Sequence, residues 1–187
     1  MLLINALRYK AWADARSLAA AARLDTHRFP QQDAFIRQQL NHMVRVEEVF
    51  RARLLAQPEP HTSTNSEAVP PLQALHERLT ASNHWLQAYA PSLTADKLAE
   101  TLHFHFLDGQ AGSLKREEIL FHLINHGTYH RGAIGHALDQ AGGLRPADTY
   151  TVFVHEVEVG RRGGVIPPFS WAARSRAMRP WPAAALG

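Results

Sequence analysis

Apolar residues recur at steps of three and four in four separate stretches, which restricts the chain to a predominantly helical fold. Residues 2–23 contain neither Pro nor Gly and place Leu3, Leu7, Ala11, Ala15 and Leu18 at helical spacing. After the break RFPQQD, residues 33–56 carry one stripe through Phe35, His42, Val46 and Val49, with Leu40, Met43, Phe50 and Leu54 beside it. The run QPEPHTSTNSEAVPP predicts a long loop, because its prolines cannot continue a helix. Residues 71–90 form a third stretch through Leu72, Leu75, Leu79, Leu86 and Tyr89.

The pattern changes in TLHFHFLDGQAGS, where Leu102, Phe104 and Phe106 alternate with Thr101, His103 and His105 ahead of Asp108-Gly109. A short extended hairpin is expected, with His103 and His105 on its polar face. Ser113 is the expected N-cap of a fourth helix, with Glu117 and Glu118 near its positive end and Gly142-Gly143 as its stop after about Ala141. Four amphipathic helices predict an all-α four-helix bundle with the hairpin just before the last helix.

Composition bounds the chemistry. The 187 residues suffice for one domain with its own core, and the absence of cysteine excludes disulfides, thiolate metal sites and a cysteine nucleophile. No apolar run is long enough to span a bilayer and the N-terminus lacks a signal peptide's pattern, so a cytoplasmic protein with no membrane partner is expected. Five of the 20 Lys and Arg residues (Arg161, Arg162, Arg174, Arg176 and Arg179) follow Gly160 without any acid, so residues 1–159 hold 15 basic against 17 acidic residues. That balance gives a nucleic-acid face on the domain no support, and only the tail could seek phosphate. The expected division is a domain over 1–159 and a disordered or loosely docked tail rich in Arg, Pro, Gly and Ala over 160–187.

The fourth helix carries FHLINHGTYHRGAIGHAL, with His122, His126, His130 and His136. Ile119, Leu123, His126, His130, Ala133 and Ala137 follow steps of four and three, so His126 and His130 are expected in line with the core, one turn apart. His42 lies on the inward stripe of the second helix. Three inward imidazoles on two helices provide half of an octahedron or most of a tetrahedron, with positions open for water or substrate. His122 is expected at the rim, His136 on another face, and His76 as an ordinary core histidine between Leu72 and Leu79. H-x-x-x-H alone does not separate a metal pair from two core imidazoles.

Several chemistries fall away. Gly127 follows His126 where a zinc protease places its general base, and Glu118 is not repeated as a di-iron bundle requires. Neither G-x-S-x-G, nor a Walker loop, nor a dinucleotide fingerprint occurs. The small residues Gly127, Gly132, Ala133, Gly135 and Ala137 suggest close helix packing.

RYKAWADARSL, the histidine of LNHMVRVEEVF, the hairpin ending in Asp-Gly, LFHLINHGTYHRGAIGHAL and GGLRPADTYTVFVHE together resemble the DinB family of damage-inducible bundles, related to YfiT-like metal-dependent hydrolases. The resemblance covers about residues 1–159. It implies an up-down-down-up bundle with a divalent ion, nickel or zinc foremost and iron or manganese as alternatives, on a triad that by position is His42, His126 and His130. It also implies a homodimer and, by analogy with some relatives, a low-molecular-weight thiol (bacillithiol, mycothiol or glutathione) as co-substrate. Two departures stand out: Ala133 occupies a position where the family often has Gln, and the Arg-rich tail is outside the family pattern.

The expected function is a metal-dependent hydrolase or thiol S-transferase, in which water or a thiol activated at the ion is the nucleophile and no side chain is assigned as general base. The alternative is a non-catalytic metal- or ligand-binding stress-response bundle. Arg131, about 100° round the helix from His130, is expected in a salt bridge or interface.

Overall fold

The computed structural model describes residues 2–157. In chain order these form α1 (Leu2–Ala21), α2 (Pro30–Leu54), α3 (Leu72–Tyr89), a 3-10 turn at Ala90–Ser92, α4 (Ala95–Ala99), strands β1 (Thr101–His105) and β2 (Ala111–Lys115), α5 (Arg116–Gln140) and α6 (Tyr150–Val157). The protein is therefore mostly helical with one small sheet. Among the long helices, α5 packs on α1 and α2, and α3 packs on the same two. The compact unit that contains them ends at Phe153. The expected tail over 160–187 lies outside the described residues.

Local chemistry explains the boundaries. Helix α2 begins inside the segment read as a break, because Pro30 occupies its first turn, where a missing N–H costs nothing. Ser113 does not cap α5: it belongs to β2, opposite His103. The Glu118 carboxylate does the capping instead, accepting from the Lys115 N–H at 2.7 Å. The helix stops as expected, with Gly142 at φ +68° and the Gly143 N–H returning to the Leu138 carbonyl at 2.9 Å. Helices α4 and α6 have no counterpart in the sequence reading. Thr94 initiates α4, its hydroxyl accepting from the Lys97 N–H.

The hairpin pairs antiparallel with Leu102 opposite Leu114 and Phe104 opposite Gly112. Leu102, Phe104 and Leu114 face the core, while His103 and His105 are exposed as expected. Gly112 is required by close approach, since a Cβ there would lie 2.5 Å from the Phe106 ring.

The core consists of two apolar clusters. One gathers Leu18, Ile36, Leu40, Met43, Leu75, Leu79, Ile134 and Leu138; the other gathers Leu7, Val46, Phe50, Leu86, Ile119, Leu120 and Leu123. Each long helix passes from one cluster to the other. At the crossing, buried polar residues replace apolar ones: Lys10 and Asp14 on α1, Glu47 on α2, Ser82 and Asn83 on α3, and Arg131 on α5. The histidines of interest lie at this same level along α2 and α5.

The inward stripes are rotated from those read in the sequence. On α1 the buried line runs through Leu7, Lys10, Asp14, Ser17 and Leu18, whereas Ala15 is exposed. On α2, Ile36 is buried and Phe35 is 44% exposed. On α5, Gly127, Arg131 and Ile134 take the innermost positions, which moves His126, His130 and Ala133 to the edge of the core. His76 is exposed, because Leu75 and Leu79 set the buried face of α3 one residue away.

Candidate metal centre

Helices α2 and α5 bring His42, His126 and His130 together. One ligand-capable nitrogen from each lies within 4.8 Å of the other two. His126 Nε2 is 3.1 Å from His42 Nε2 and 3.1 Å from His130 Nε2. All three histidines are half-buried at the edge of the core. Among the described residues this is the group of three that could hold a metal ion. His136 is exposed on another face, and His122 stays outside the triad with its ring centroid 5.3 Å from that of His126.

The protonation chemistry fits a cation. His130 Nδ1 lies 2.6 Å from Gln39 Oε1, which can only accept, so the His130 proton sits on Nδ1 and its Nε2 lone pair points to the centre. Burial, together with His42, His122 and His130, pushes the His126 pKa down to about 3; burial and His42 push that of His130 down to about 4. Burial also lowers His122. His126 Nε2 carries either one proton or one lone pair in the ring plane, and His130 Nε2 offers only a lone pair, so the two short contacts cannot both be hydrogen bonds. A shared cation resolves that conflict. Around an ion with bonds of about 2.0–2.1 Å, adjacent ligand nitrogens lie about 2.8–3.0 Å apart at a right angle and about 3.3–3.4 Å at the tetrahedral angle, and the two spacings of 3.1 Å lie between these values.

Gln39 was not singled out in the sequence, although it sits one turn before His42 on the same side of α2. It fixes the tautomer and ring orientation of His130, as partners of metal-binding histidines commonly do. Gln39→Leu is expected to weaken metal affinity by about 10–100-fold with unchanged stoichiometry. A competition titration against a chromophoric chelator measures this.

Behind the triad lies the ionic layer. Lys10 Nζ donates to Asp14 Oδ2 at 2.7 Å, to Glu47 Oε1 at 2.8 Å and to Asn83 Oδ1 at 2.9 Å. Arg131 Nη1 donates to Asp14 Oδ1 at 2.7 Å, and its Nε to Asp148 Oδ2 at 2.8 Å. Arg131 thus takes the salt-bridge role, inside the molecule. Gly127 makes room for it, since a Cβ there would meet Arg131 Nη1 at 2.8 Å. Burial alone would lower the Lys10 pKa, but Asp14 and Glu47 outweigh it and hold the ammonium charged. Burial likewise opposes the Asp14 charge, and Lys10 with Arg131 reverses the balance and lowers its pKa. Glu47 is raised by burial and by the nearby Asp14 despite its contact with Lys10.

A cavity of about 480 Å³ opens beside the triad, and its wall includes His126, His122, Phe50 and Phe106. Part of the long loop after α2 closes it. Arg45 donates to the Ser63 carbonyl at 2.7 Å and Asn41 to Ser66 Oγ at 2.9 Å, which places Thr64 on the cavity wall. A larger cavity of about 760 Å³, lined by Trp12, Arg23 and Phe29 among others, contains none of the histidines. Chemistry, rather than size, selects the smaller one.

The family model described as DinB family matches residues 2–162. No curated protein and no solved structure gives a significant match. No helix among the described residues is long and apolar enough to cross a membrane.

Proposed function

The chain belongs to the DinB family, and from that premise we propose that it is a metal-dependent enzyme, a hydrolase or a low-molecular-weight-thiol S-transferase, whose divalent ion is held by His42, His126 and His130. The observation that carries this reading is the convergence of three imidazole nitrogens within 4.8 Å at the edge of the core. A divalent ion on three neutral imidazoles keeps its full charge and supplies Lewis acidity at the positions left open. Nickel or zinc suits an all-imidazole donor set; iron and manganese are the alternatives. Gln39 orients His130, the ionic layer fixes α5 against α1, and the apolar wall formed by Phe50 and Phe106 limits water around the reacting groups. The four long helices are read as an up-down-down-up bundle, supported by the pairing of α5 and α3 each with α1 and α2. A cytoplasmic homodimer belongs to the same reading.

The test is turnover. Metal-loaded protein is expected to hydrolyse an activated ester or to join a low-molecular-weight thiol to an electrophile, and His42→Ala is expected to lose both metal and turnover while its circular dichroism is unchanged. Full metal loading without turnover across both reaction classes would favour the second reading, a non-catalytic metal- or ligand-binding bundle.

A further inference from the structure

The cavity beside the triad carries its own selectivity. Its wall is apolar through Val46, Val49, Phe50, Phe106, Leu107 and Leu114. Two charged side chains also reach it, yet both are engaged elsewhere. Arg53 lies 4.4 Å from the Phe104 ring centroid and 5.1 Å from that of Phe50; its Nε donates to Glu59 at 2.6 Å and its Nη2 to the His105 carbonyl at 2.8 Å. The guanidinium therefore pins α2 to the hairpin. Asp108 accepts from the backbone N–H and the side chain of Gln110 and so serves its own turn.

His122 differs from these. Its ring contacts Phe50 at 5.2 Å and His126 at 5.3 Å between centroids, and it forms no hydrogen bond with the described protein. The ring nitrogens of His126 and His130, by contrast, have neighbours at 3.1 Å or less, imidazole nitrogens and the Gln39 Oε1. His122 thus offers the cavity a donor and an acceptor that no group of the described residues uses. Pockets of this size commonly bury a small organic ligand, with a few polar groups fixing its orientation.

The geometry points to a binding site for a small uncharged organic molecule with an aromatic-sized apolar body, whose one hydrogen-bonding group is held by His122 and thereby delivered next to His126. This deepens the reading of the triad as the reactive centre, and the bound molecule's role as a substrate rests on that reading. A carboxylate or phosphate on the ligand would enter a wall where the Arg53 and Asp108 charges already have partners, and would lose hydration without replacement. A thiol co-substrate with several charges would have to approach from outside this cavity.

Fluorine NMR of para-fluorobenzamide with full-length, chelator-treated protein tests the site without metal. Saturable line broadening is expected for wild type. Thr64→Trp, which fills the cavity from its loop wall, and His122→Phe, which keeps the bulk and removes the polar atoms, are each expected to weaken binding about tenfold or more. Para-fluorobenzoate is expected to bind about tenfold more weakly than the amide. Absence of saturable broadening in wild type, equal binding in a folded Thr64→Trp variant, or benzoate binding as well as the amide would each overturn the proposal. If His122→Phe does not fold, the Thr64→Trp and benzoate arms still decide. The metal reading stands or falls separately, on the metal content of wild type against His126→Ala.

Discussion

Lys10→Met is expected to cost roughly 3–5 kcal/mol of folding stability. The Lys10 side chain is fully buried, and its ammonium makes three contacts with Asp14, Glu47 and Asn83. After its removal Asp14 keeps Arg131 and the Asn83 amide, but among the described residues Glu47 keeps only the Ser82 hydroxyl. Most of the cost therefore falls on Glu47, a carboxylate 2% exposed and left without a cation. Lys10→Met combined with Glu47→Gln is expected to recover a large part of the loss, because the second change removes the stranded charge. The partly exposed surface pair Arg37–Asp33, 2.9 Å apart, provides the contrast: Arg37→Met should cost about 0–1 kcal/mol. Urea unfolding at constant m-value measures all three, and a cost below about 1 kcal/mol for Lys10→Met would show that the layer is not a stabilising unit.

His126→Ala should abolish metal binding, taking the ion from one per chain to background in elemental analysis of dialysed protein. Its Nε2 is the one within 3.1 Å of both other imidazoles, so its loss leaves His42 and His130 as two donors without the atom between them. Equal, negligible metal in wild type and His126→Ala would sink the metal reading. The pH dependence follows from the same residues. In the folded protein His126 and His130 protonate only near pH 3 and 4, against 6.5 for an ordinary imidazole. Above pH 6.5 both states are neutral and the groups contribute nothing. As pH falls below 6.5 the unfolded chain binds protons that the folded chain refuses, so metal-free protein should lose stability progressively towards pH 4. Thermal unfolding of chelator-treated protein over that range checks the sign. A metal ion, which binds the neutral imidazoles of the folded state, should raise the midpoint until protons compete for His130 and His126 as pH falls towards 4.

Much of the fold was legible because it depends on local chemistry. Pro and Gly delimit the helices, Asp108-Gly109 turns the hairpin, and period-two alternation in residues 101–106 separates Phe104 from His103 and His105. On α2, Leu40, Met43, Val46, Val49, Phe50 and Leu54 are buried as read and Phe35 is the exception; on α1 the stripe was read one residue off in its middle for an identifiable reason. Ala11 and Ala15 count as apolar in a periodicity argument, yet so small a side chain gains little from burial, whereas Lys10 and Asp14 compensate each other at 2.7 Å and can go inside. A Lys and an Asp four residues apart, in line with Leu7 and Leu18, were the available signal. Ser113 was misassigned because capping preference competes with strand pairing, and its place opposite His103 in the ladder prevailed.

The sequence by itself determined the four long helices, the hairpin, the absence of cysteine and the identity of three histidines on two helices that could share an ion, because each follows from residue type and spacing along one element. Only the tertiary structure decided which imidazoles meet, that Gln39 holds His130 from 91 residues away, that Lys10 and Arg131 are buried with their counter-charges, and that His122 lines a cavity rather than joining the triad. Those outcomes depend on the rotation of each helix about its axis. That rotation is settled by how all four long helices bury apolar surface and pair buried charges at once, which no periodicity within a single helix can specify.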